Sequence, residues 1–393
     1  MQLFQKCDLN FKTASLNLLV VVLYVLLAKI GLYFALKPTT ITIFWPAGGF
    51  ALAVLLLGGL KYLPGIFIGG IIAGYMVMDN PWLVTALSTA NMLESFSAYW
   101  LLTNYFSFNP SLKTRQDFFK LAFLAAGISS AISALIGSTA LLVGNIIPLS
   151  LYPLICFRWW MGDVLGIAFI TPLILIWKNP PQTLTSKSNA LEELAICVST
   201  LLLGQVLFFD WLKGSDYDTQ SVSWLILLNI WSGARFGRHT TSALQLIIFI
   251  EALWSASHGV GHYANDMVKS GLFDFWLFGM MLACGGMAIA VMADENRNIQ
   301  EILRKTEIYQ RALLDNFPFS VWLKDTESRY LVANKGFASI FGVQNTAELV
   351  GKNDFDIAPS DLAESYRKDD ISIPEIVNVV VASTVNTYAT FLI

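Results

Sequence analysis

The sequence predicts a polytopic, all-α bundle of eight to ten transmembrane helices, followed by a small and apparently truncated α/β domain. Two observations lead to this prediction. Of the 393 residues, 55% are hydrophobic and 13% are charged, whereas soluble domains carry about 25% charged residues. Long apolar runs recur from residue 14 to residue 293, after which the composition becomes that of a soluble protein. The chain therefore has a membrane part and a soluble tail.

Ten apolar segments are the candidates for the spans. They lie at about 14–36, 41–60, 62–78, 82–106, 121–145, 151–177, 194–209, 222–234, 239–257 and 275–293. The eighth has only 13 residues, and about 20 are needed to cross a hydrocarbon core of roughly 30 Å. It is either re-entrant or merged with a neighbour, so the sequence leaves eight to ten spans open.

Positively charged residues set the predicted orientation. With the N-terminus inside, ten lysines and arginines lie in the N-terminus and the inner loops, against three in the outer loops. The inner set is Lys6, Lys12, Lys61, Lys113, Arg115, Lys120, Lys178, Lys187, Arg235 and Arg238, and the outer set is Lys37, Lys213 and Lys269. An even number of spans also returns the tail to the inner side, so we predict that both termini are cytoplasmic.

Composition also bears on the partners and metals of this chain. A net charge of −3 gives no indication of nucleic-acid binding, and the lipid bilayer is the partner that composition predicts. Three of the four cysteines lie inside apolar segments, so neither a disulfide framework nor a zinc cluster is expected. His258 and His262 are spaced i, i+4, but two glycines between them disfavour a helix. They are therefore only weak candidates for a metal site.

Charged residues within the apolar segments are few: Lys29, Glu94, Arg158, Asp163 and Glu251. Because a charge in hydrocarbon is costly, each should face protein or water. Glu94 and Asp163 both fall near the middle of their segments, so we predict that they share a buried polar cavity and one proton near neutral pH. Arg158 is predicted to pair with Glu251, with Lys29 as a rival partner. The alternative is that the two cations extend to the surface while the acids hydrogen-bond neighbouring helices.

Gly65, Gly69, Gly70 and Gly74 form two GxxxG spacings in the third apolar segment. Small residues at this spacing let helix backbones approach closely in lipid. The spacing therefore predicts close helix packing, either within one chain or between two chains.

The soluble tail begins with a predicted helix. The run ADENRNIQEILRKTEIYQRALLDNF after Met292 continues the last span to about residue 316. Ile302, Tyr309 and Leu313 recur at heptad-like steps, which leaves a short coiled coil and a solvated helix both open. SVWLKD and RYLVAN then predict two strands joined by a turn at TES, and KGFASIFG predicts a short helix closed by Gly342.

The run VWLKDTESRYLVANKGFASIFGV, followed by ELVGKNDFDIAPSDLAESYRKDD, resembles the first half of a PAS domain. The resemblance implies a domain that binds a small ligand or cofactor, or that relays a signal through rearrangement of a dimer. The family pattern continues with three long strands, and the remaining residues are too few to supply them. Ile373–Val377 is at most a remnant of the next strand. We therefore expect a truncated PAS-like domain with an unpaired sheet edge.

Three runs of the membrane part resemble the MASE1 integral-membrane sensory domain. They are IFWPAGGFALAVLLLGGLKYLPGIFIGG (43–70), NMLESFSAYWLL (91–102) and RWWMGDVLGIAFITPLILIW (158–177). The positions that look recurrent in the family are Trp45, Pro46, Gly48, Glu94, Arg158, Asp163, Gly166 and Pro172. In bacteria this domain precedes PAS, histidine-kinase and diguanylate-cyclase modules. The resemblance implies a sensory role in the bacterial inner membrane, and it names neither ligand nor cofactor.

Together these patterns predict five regions: a cytoplasmic N-terminus (1–13), a MASE1-like sensory domain (14–294), a linker helix (295–316), the N-terminal half of a PAS domain (317–372) and a divergent tail (373–393).

We expect this chain to be the membrane input module of a signalling protein of the two-component or cyclic di-GMP type. It would pass a signal through the linker helix to the PAS region, where we also expect a homodimer. No GGDEF string, phosphoacceptor or nucleotide-binding segment occurs, so we expect the output enzyme to be absent and the chain not to be an enzyme. The alternative is a proton-coupled small-molecule transporter, because mid-membrane carboxylates also suit proton transport.

Overall fold

The computed structural model describes residues 11–36, 41–179, 187–209, 211, 222–263, 272–371, 378–383 and 387–392. The chain divides into two compact units, Met1–Asn296 and Arg297–Ile393. Lys6, Lys37, Lys213 and Lys269, which entered the charge comparison, lie outside the described residues.

The first unit is a bundle of helices. In chain order the helices are α1 (Phe11–Tyr33), α2 (Pro46–Gly58), α3 (Leu63–Tyr75), α4 (Pro81–Trp100), α5 (Arg115–Lys120), α6 (Ser130–Val143), α7 (Tyr152–Trp177), α8 (Lys187–Phe208), α9 (Ser223–Phe236), α10 (Arg238–Ser257), α11 (Phe273–Met281) and α12 (Met287–Asp315). Between α1 and α2, the two-residue strands β1 (Ala35–Leu36) and β2 (Ile41–Thr42) pair antiparallel. Each of the ten predicted apolar segments contains one of these helices.

Five helical stretches among the described residues are long and apolar enough to cross a membrane: Phe11–Tyr33, Arg115–Val143, Leu149–Trp177, Leu191–Phe208 and Phe273–Asp315. Two of them are continuous because a π-helical turn, Leu121–Ser129 or Leu282–Gly286, joins shorter helices. Pro46–Gly58 and Leu60–Tyr75 are apolar but shorter. Length and hydropathy thus support five spans, and the predicted total of eight to ten stays a prediction.

α7 forms the centre of the bundle. In the most apolar stretch of this helix 72% of the residues are buried, against 22% to 50% for the other four candidate spans. Leu165 and Phe169 belong to one cluster of core residues, and Val164 and Ile167 belong to a second. A helix that is apolar on all sides lies in a protein core or in a membrane, and the extensive burial of α7 agrees with the absence of a polar face around Asp163.

α7 packs backbone against backbone with the segment that leads into α2. The N–H of Trp45 donates a hydrogen bond to the carbonyl oxygen of Gly162 at 3.0 Å. A Cβ on Gly166 would collide with the carbonyl oxygen of Trp45, and a Cβ on Gly162 would collide with that of Thr42. Gly49 of α2 meets the backbone of Gly166 in the same way. Only glycine permits so close an approach.

The GxxxG glycines of α3 pack inside the chain. A Cβ on Gly69 would lie 3.0 Å from Tyr24 of α1, and a Cβ on Gly70 would lie 3.2 Å from Ser88 of α4. The other two glycines lie one turn away on the same two faces and meet the same two helices. Of the two interpretations left open by the sequence, the structure therefore shows close packing within one chain.

α12 continues beyond the first unit. It runs for 29 residues without a break, which confirms the predicted helix after the last apolar segment. All of residues 296–313 are exposed. The heptad-like side chains Ile302, Tyr309 and Leu313 are 55%, 66% and 67% exposed.

The second unit contains a four-stranded antiparallel sheet with the order β4–β3–β5–β6. Its strands are β3 (Ser320–Lys324), β4 (Tyr330–Ala333), β5 (Asn378–Ser383) and β6 (Thr387–Leu392). The two predicted strands and the short helix after them, α13 (Lys335–Ile340), are confirmed, and Gly342 has a φ of +67° just beyond that helix. Helices α14 (Asp354–Ile357) and α15 (Ser360–Ile371) follow.

One edge of this sheet differs from the prediction. The truncated PAS-like sheet predicted from the sequence has an unpaired edge, whereas in the structure β5 pairs with β3 from Ser320↔Ala382 to Lys324↔Asn378. The chain after α15 thus returns to satisfy the backbone N–H and C=O groups of β3, which would otherwise lack partners. The proposed remnant at Ile373–Val377 lies outside the described residues.

An ion pair is buried in the second unit. The ammonium of Lys324 on β3 lies 2.6 Å from Oδ2 of Asp354, and these side chains are 4% and 1% exposed. The hydroxyl of Tyr330 donates to Oδ1 of the same carboxylate at 2.5 Å. Asp354 therefore fastens α14 to the β3–β4 hairpin.

We predict that Gly166→Ala destabilises the bundle by about 1–3 kcal/mol, the usual range for forcing an extra group into a packed core. The added Cβ would meet the Trp45 carbonyl oxygen, which backbone movement alone can relieve. Thermal unfolding of the purified chain in detergent measures the change. Gly285→Ala is the control, because a Cβ there meets nothing within 4 Å; equal unfolding temperatures of the two variants would contradict the prediction.

We also predict that Asp354→Ala destabilises the second unit by about 3–5 kcal/mol, since it leaves the Lys324 charge buried without its carboxylate partner. Amide hydrogen exchange of residues 317–371 in the full chain measures the loss. Glu327→Ala in the same hairpin removes an exposed ion-pair partner of Arg329 and should leave exchange unchanged. Unchanged protection in Asp354→Ala would show that the pair contributes nothing.

Candidate functional site

Two carboxylates lie close together inside the bundle. Glu94 on α4 is 0% exposed and Asp163 on α7 is 2% exposed. They are near enough to interact electrostatically. The structure thus brings together the two acids that the sequence placed at matching depth.

Polar side chains around the two acids satisfy part of their hydrogen-bonding capacity. Ser130 Oγ donates to Glu94 Oε1 at 2.6 Å, and Ser133 Oγ donates to Asn91 Oδ1 at 3.3 Å. Within the described residues, Glu94 Oε2 and Asp163 Oδ2 are buried and have no hydrogen-bond partner. Leaving a buried acceptor unpaired costs about 1–3 kcal/mol. Both oxygens can therefore accept a further hydrogen bond.

Two aromatic side chains complete this cluster. Tyr24 of α1 is 1% exposed, and its hydroxyl lies near both acids and near Trp45 and Asn91. Neither this hydroxyl nor Trp45 Nε1 makes a hydrogen bond of normal geometry to the described residues. Gly48 provides the space beside them, because a Cβ there would lie 3.2 Å from the unpaired oxygen of Glu94.

A cavity of about 100 Å³ lies against Asp163. Its polar lining consists of Thr42, Trp45, Ser88, Asn91, Trp159 and Asp163, and its apolar lining consists of Leu32, Gly70, Ala73, Gly74, Val77, Met78, Leu87 and Leu141. Asp163 is the charged residue in this lining. These residues come from α1, β2, α3, α4, α6 and α7 and from the segment before α2, so the cavity lies between helices that are distant in the sequence.

The other positions that the sequence marked lie along α2 and α7. Pro46 is the first residue of α2, where proline needs no N–H partner. Pro172 is buried within α7, and the preceding Thr171 Oγ1 donates to the carbonyl oxygen of Gly49 at 2.8 Å. These residues hold α2 against α7, and that contact in turn places Trp45 at the cavity.

The predicted pairing of Arg158 with Glu251 is not found. Gln205 Nε2 on α8 donates to Glu251 Oε1 at 2.5 Å, because α8 packs against α10 and reaches this carboxylate. Arg158 is half-buried and Lys29 is exposed, and neither makes an ion pair with another described residue. Glu251 and Arg158 are therefore separate from the cluster around Asp163.

The two histidines of the weak metal candidate have aromatic neighbours. The His258 ring stacks on Trp254 with a centroid distance of 4.4 Å, and His262 contacts Tyr263 edge-to-face. In the part of the chain that the structure describes, no three His, Cys, Asp or Glu side chains come together as a metal site.

Sequence reasoning missed several residues of the site. The GxxxG spacing of Gly162 and Gly166 was visible within RWWMGDVLG, as were the hydroxyls of Ser130 and Ser133 in an apolar segment. Nothing in the sequence distinguished Tyr24 from the other aromatic residues, because its role depends on α3 bringing α1 close to α4.

A second polar cluster lies where α12 leaves the bundle. Arg238 Nη1 donates to the carbonyl oxygens of Ser111 and Leu112 at 3.0 Å each, and its Nε lies 3.5 Å from Asp294 Oδ2. The Arg115 N–H donates to Glu295 Oε2 at 3.0 Å. These contacts join the start of α12 to α10 and to the loop before α5.

The acid-bearing turn of α7 also contacts the helix that leads into α12. Trp276 Nε1 on α11 donates to the carbonyl oxygen of Met161 at 3.2 Å. The rings of Trp160 and Trp276 lie 5.4 Å apart, and a Cβ on Gly279 would lie 3.0 Å from Leu165. A displacement near Asp163 would therefore reach α11 directly.

A helical membrane protein with an acid-lined cavity between its helices is the class that these features define. Within that class the chain belongs to the MASE1 family of membrane-associated sensory domains, whose sequence pattern matches residues 16–297. This domain is not itself catalytic. No curated protein and no solved structure matches the chain significantly.

We predict that Arg238→Gln lowers the stability of the bundle by about 1.5–3 kcal/mol, the range for hydrogen bonds that involve a charged group. The substitution removes the guanidinium from two carbonyl oxygens and from Asp294. Thermal unfolding in detergent measures the change. Arg235→Gln is the matched control, because its ion pair with Glu192 is exposed and should contribute less than the half-buried contacts of Arg238. A larger loss in Arg235→Gln would contradict the assignment.

Proposed function

We propose that this chain senses a stimulus at the Asp163 cavity and passes the resulting change through α11 and α12 to the soluble tail. Membership of a sensory family supports the role. The observation that carries the proposal is the hydrogen bond from Trp276 to Met161, two residues before Asp163. It connects the cavity wall to the helical stretch Phe273–Asp315, which leads out of the bundle.

Buried acids suit this role because one carboxylate oxygen of each, Glu94 Oε2 and Asp163 Oδ2, has no hydrogen-bond partner among the described residues. Both unpaired carboxylate oxygens would gain a hydrogen bond if a ligand or proton arrived. A ligand shifts the equilibrium between two conformations of a protein only when it binds one of them better than the other. A helix that contacts the acids can therefore change its position when the site is occupied. α7 meets this requirement because it carries Asp163 and is packed against α2 and α11.

The soluble tail is the proposed relay. We assign residues 317–372 to the first half of a PAS domain on the resemblance of its sequence. The β3–β4 hairpin followed by α13 supports this assignment. Output through a histidine kinase or a diguanylate cyclase, in the same polypeptide or a partner, belongs to the same proposal.

A homodimer through α12 is the proposed arrangement of the linker. An isolated helix is only marginally stable in water, and residues 296–313 are exposed throughout. The stripe of Ile302, Tyr309 and Leu313 would be buried by a second copy of the same helix. We also propose that the chain lies in a bacterial inner membrane, as the family resemblance implies. The bias of ten inner against three outer positive residues supports an orientation with both termini cytoplasmic.

The proposal predicts that the cavity controls an output placed after α12. A diguanylate cyclase domain is joined after Asp315 through four linkers whose lengths increase by one residue at a time. Cellular cyclic di-GMP is then measured for each fusion. Asp163→Asn should change the output by at least about fivefold, the lower end of ordinary coupling between sites. Trp276→Phe, which removes the hydrogen bond to Met161, should weaken that response.

Asp79→Asn is the matched control, because Asp79 is exposed in the loop before α4. It should leave the output unchanged. An output that ignores Asp163→Asn in every linker, while the protein remains in the membrane at normal abundance, would refute the sensory proposal.

A further inference from the structure

We propose that the cavity beside Asp163 binds a small organic ammonium ion. The inference names the class of ligand for the site described above, and its meaning as a stimulus rests on the proposed sensory function. The cavity, the unpaired oxygens and the aromatic lining each point to this chemistry.

Charge is the first argument. Asp163 lines the cavity and interacts electrostatically with Glu94, which is not among the described lining residues. No lysine, arginine or histidine is among those lining residues either. Lys29 is exposed on α1, and neither it nor Arg158 forms an ion pair with another described residue. A buried anion requires a compensating positive charge or a proton. A cationic ligand in the cavity would supply that charge beside Asp163.

Hydrogen bonding is the second argument. Asp163 is 2% exposed, and its Oδ2 has no partner among the described residues. Asn91 and Ser88 also line the cavity with polar side chains. An ammonium group has several N–H donors and no acceptor, which matches a wall that offers a carboxylate oxygen together with an amide and a hydroxyl.

The aromatic side chains are the third argument. Trp45, just before α2, and Trp159, one turn before Asp163 on α7, both line the cavity, and Trp159 also interacts with the Asp163 carboxylate. Aromatic rings attract organic cations, most strongly tryptophan. The remaining wall is apolar, with Leu87, Met78 and Leu141 among its members, so it suits the hydrocarbon part of the ligand.

Volume limits the size of this ligand. The cavity measures about 100 Å³, whereas an apolar protein cavity of roughly 150 Å³ holds benzene. A ligand of about four non-hydrogen atoms therefore fits by the same comparison. Isopropylammonium and propan-2-ol both have this size and the same shape, but only the first is a cation.

The experiment uses the full chain in nanodiscs of uncharged lipid and measures binding by calorimetry. Isopropylammonium should bind saturably and at least about tenfold more tightly than propan-2-ol, which corresponds to about 1.4 kcal/mol. Asp163→Asn should lower the affinity for isopropylammonium by at least about tenfold, and the Asp79→Asn control should not change it.

A second variant separates loss of the site from misfolding. Leu87→Phe fills the cavity and keeps both acids, so it should abolish binding while the unfolding temperature stays near that of the parent chain. Equal affinity for the alcohol and the ammonium ion, or full binding by Leu87→Phe, would overturn the proposal.

The two proposals fail in different ways. If the ammonium ion binds through Asp163 but the cyclase fusion ignores Asp163→Asn, the ligand assignment stands and the sensory role is wrong. If the fusion responds to Asp163→Asn but the ammonium ion does not bind, the ligand assignment is wrong.

Discussion

The backbone contact between α7 and the segment that enters α2 determines the rest of the membrane unit. Gly162 and Gly166 lie one turn apart on α7, and the carbonyl oxygens of Thr42 and Trp45 occupy the space that their side chains would fill. The hydrogen bond from Trp45 N–H to Gly162 fixes the register of the two segments. Packing of small residues is the main source of specificity between helices in lipid, where burial of apolar surface contributes little. Without this contact Trp45 would not reach the cavity.

The acid cluster depends on that contact and in turn limits how the bundle can pack. Glu94 reaches its position because Gly48 leaves room beside its carboxylate, and Ser130 supplies one hydrogen bond. The remaining unpaired oxygens make this region less stable than an apolar core of the same size. Proteins commonly keep such arrangements where they bind something, and the cavity against Asp163 is the place where binding would relieve them.

The cavity wall is joined to α12 by few contacts. α7 contacts α11 through Trp276 and Gly279, and α11 continues through a π-helical turn into α12. Arg238 contacts Asp294 of α12 and the loop before α5. In the proposed function, a small shift of α7 would be passed to α12 through these contacts.

The sequence by itself determined the division into a membrane part and a tail, the positions of the helices and the strands of the hairpin, because hydrophobic period and charge depend on neighbouring residues alone. Membership of the family could likewise be recognised from local motifs such as RWWMGDVLG. Tertiary structure decided which charges meet. The sequence predicted a pair between Arg158 and Glu251, but α8 packs against α10, and Glu251 accepts a hydrogen bond from Gln205. Tyr24, Ser130 and Trp159 join the site only because helices far apart in the chain pack together, and no local pattern records which faces of those helices meet.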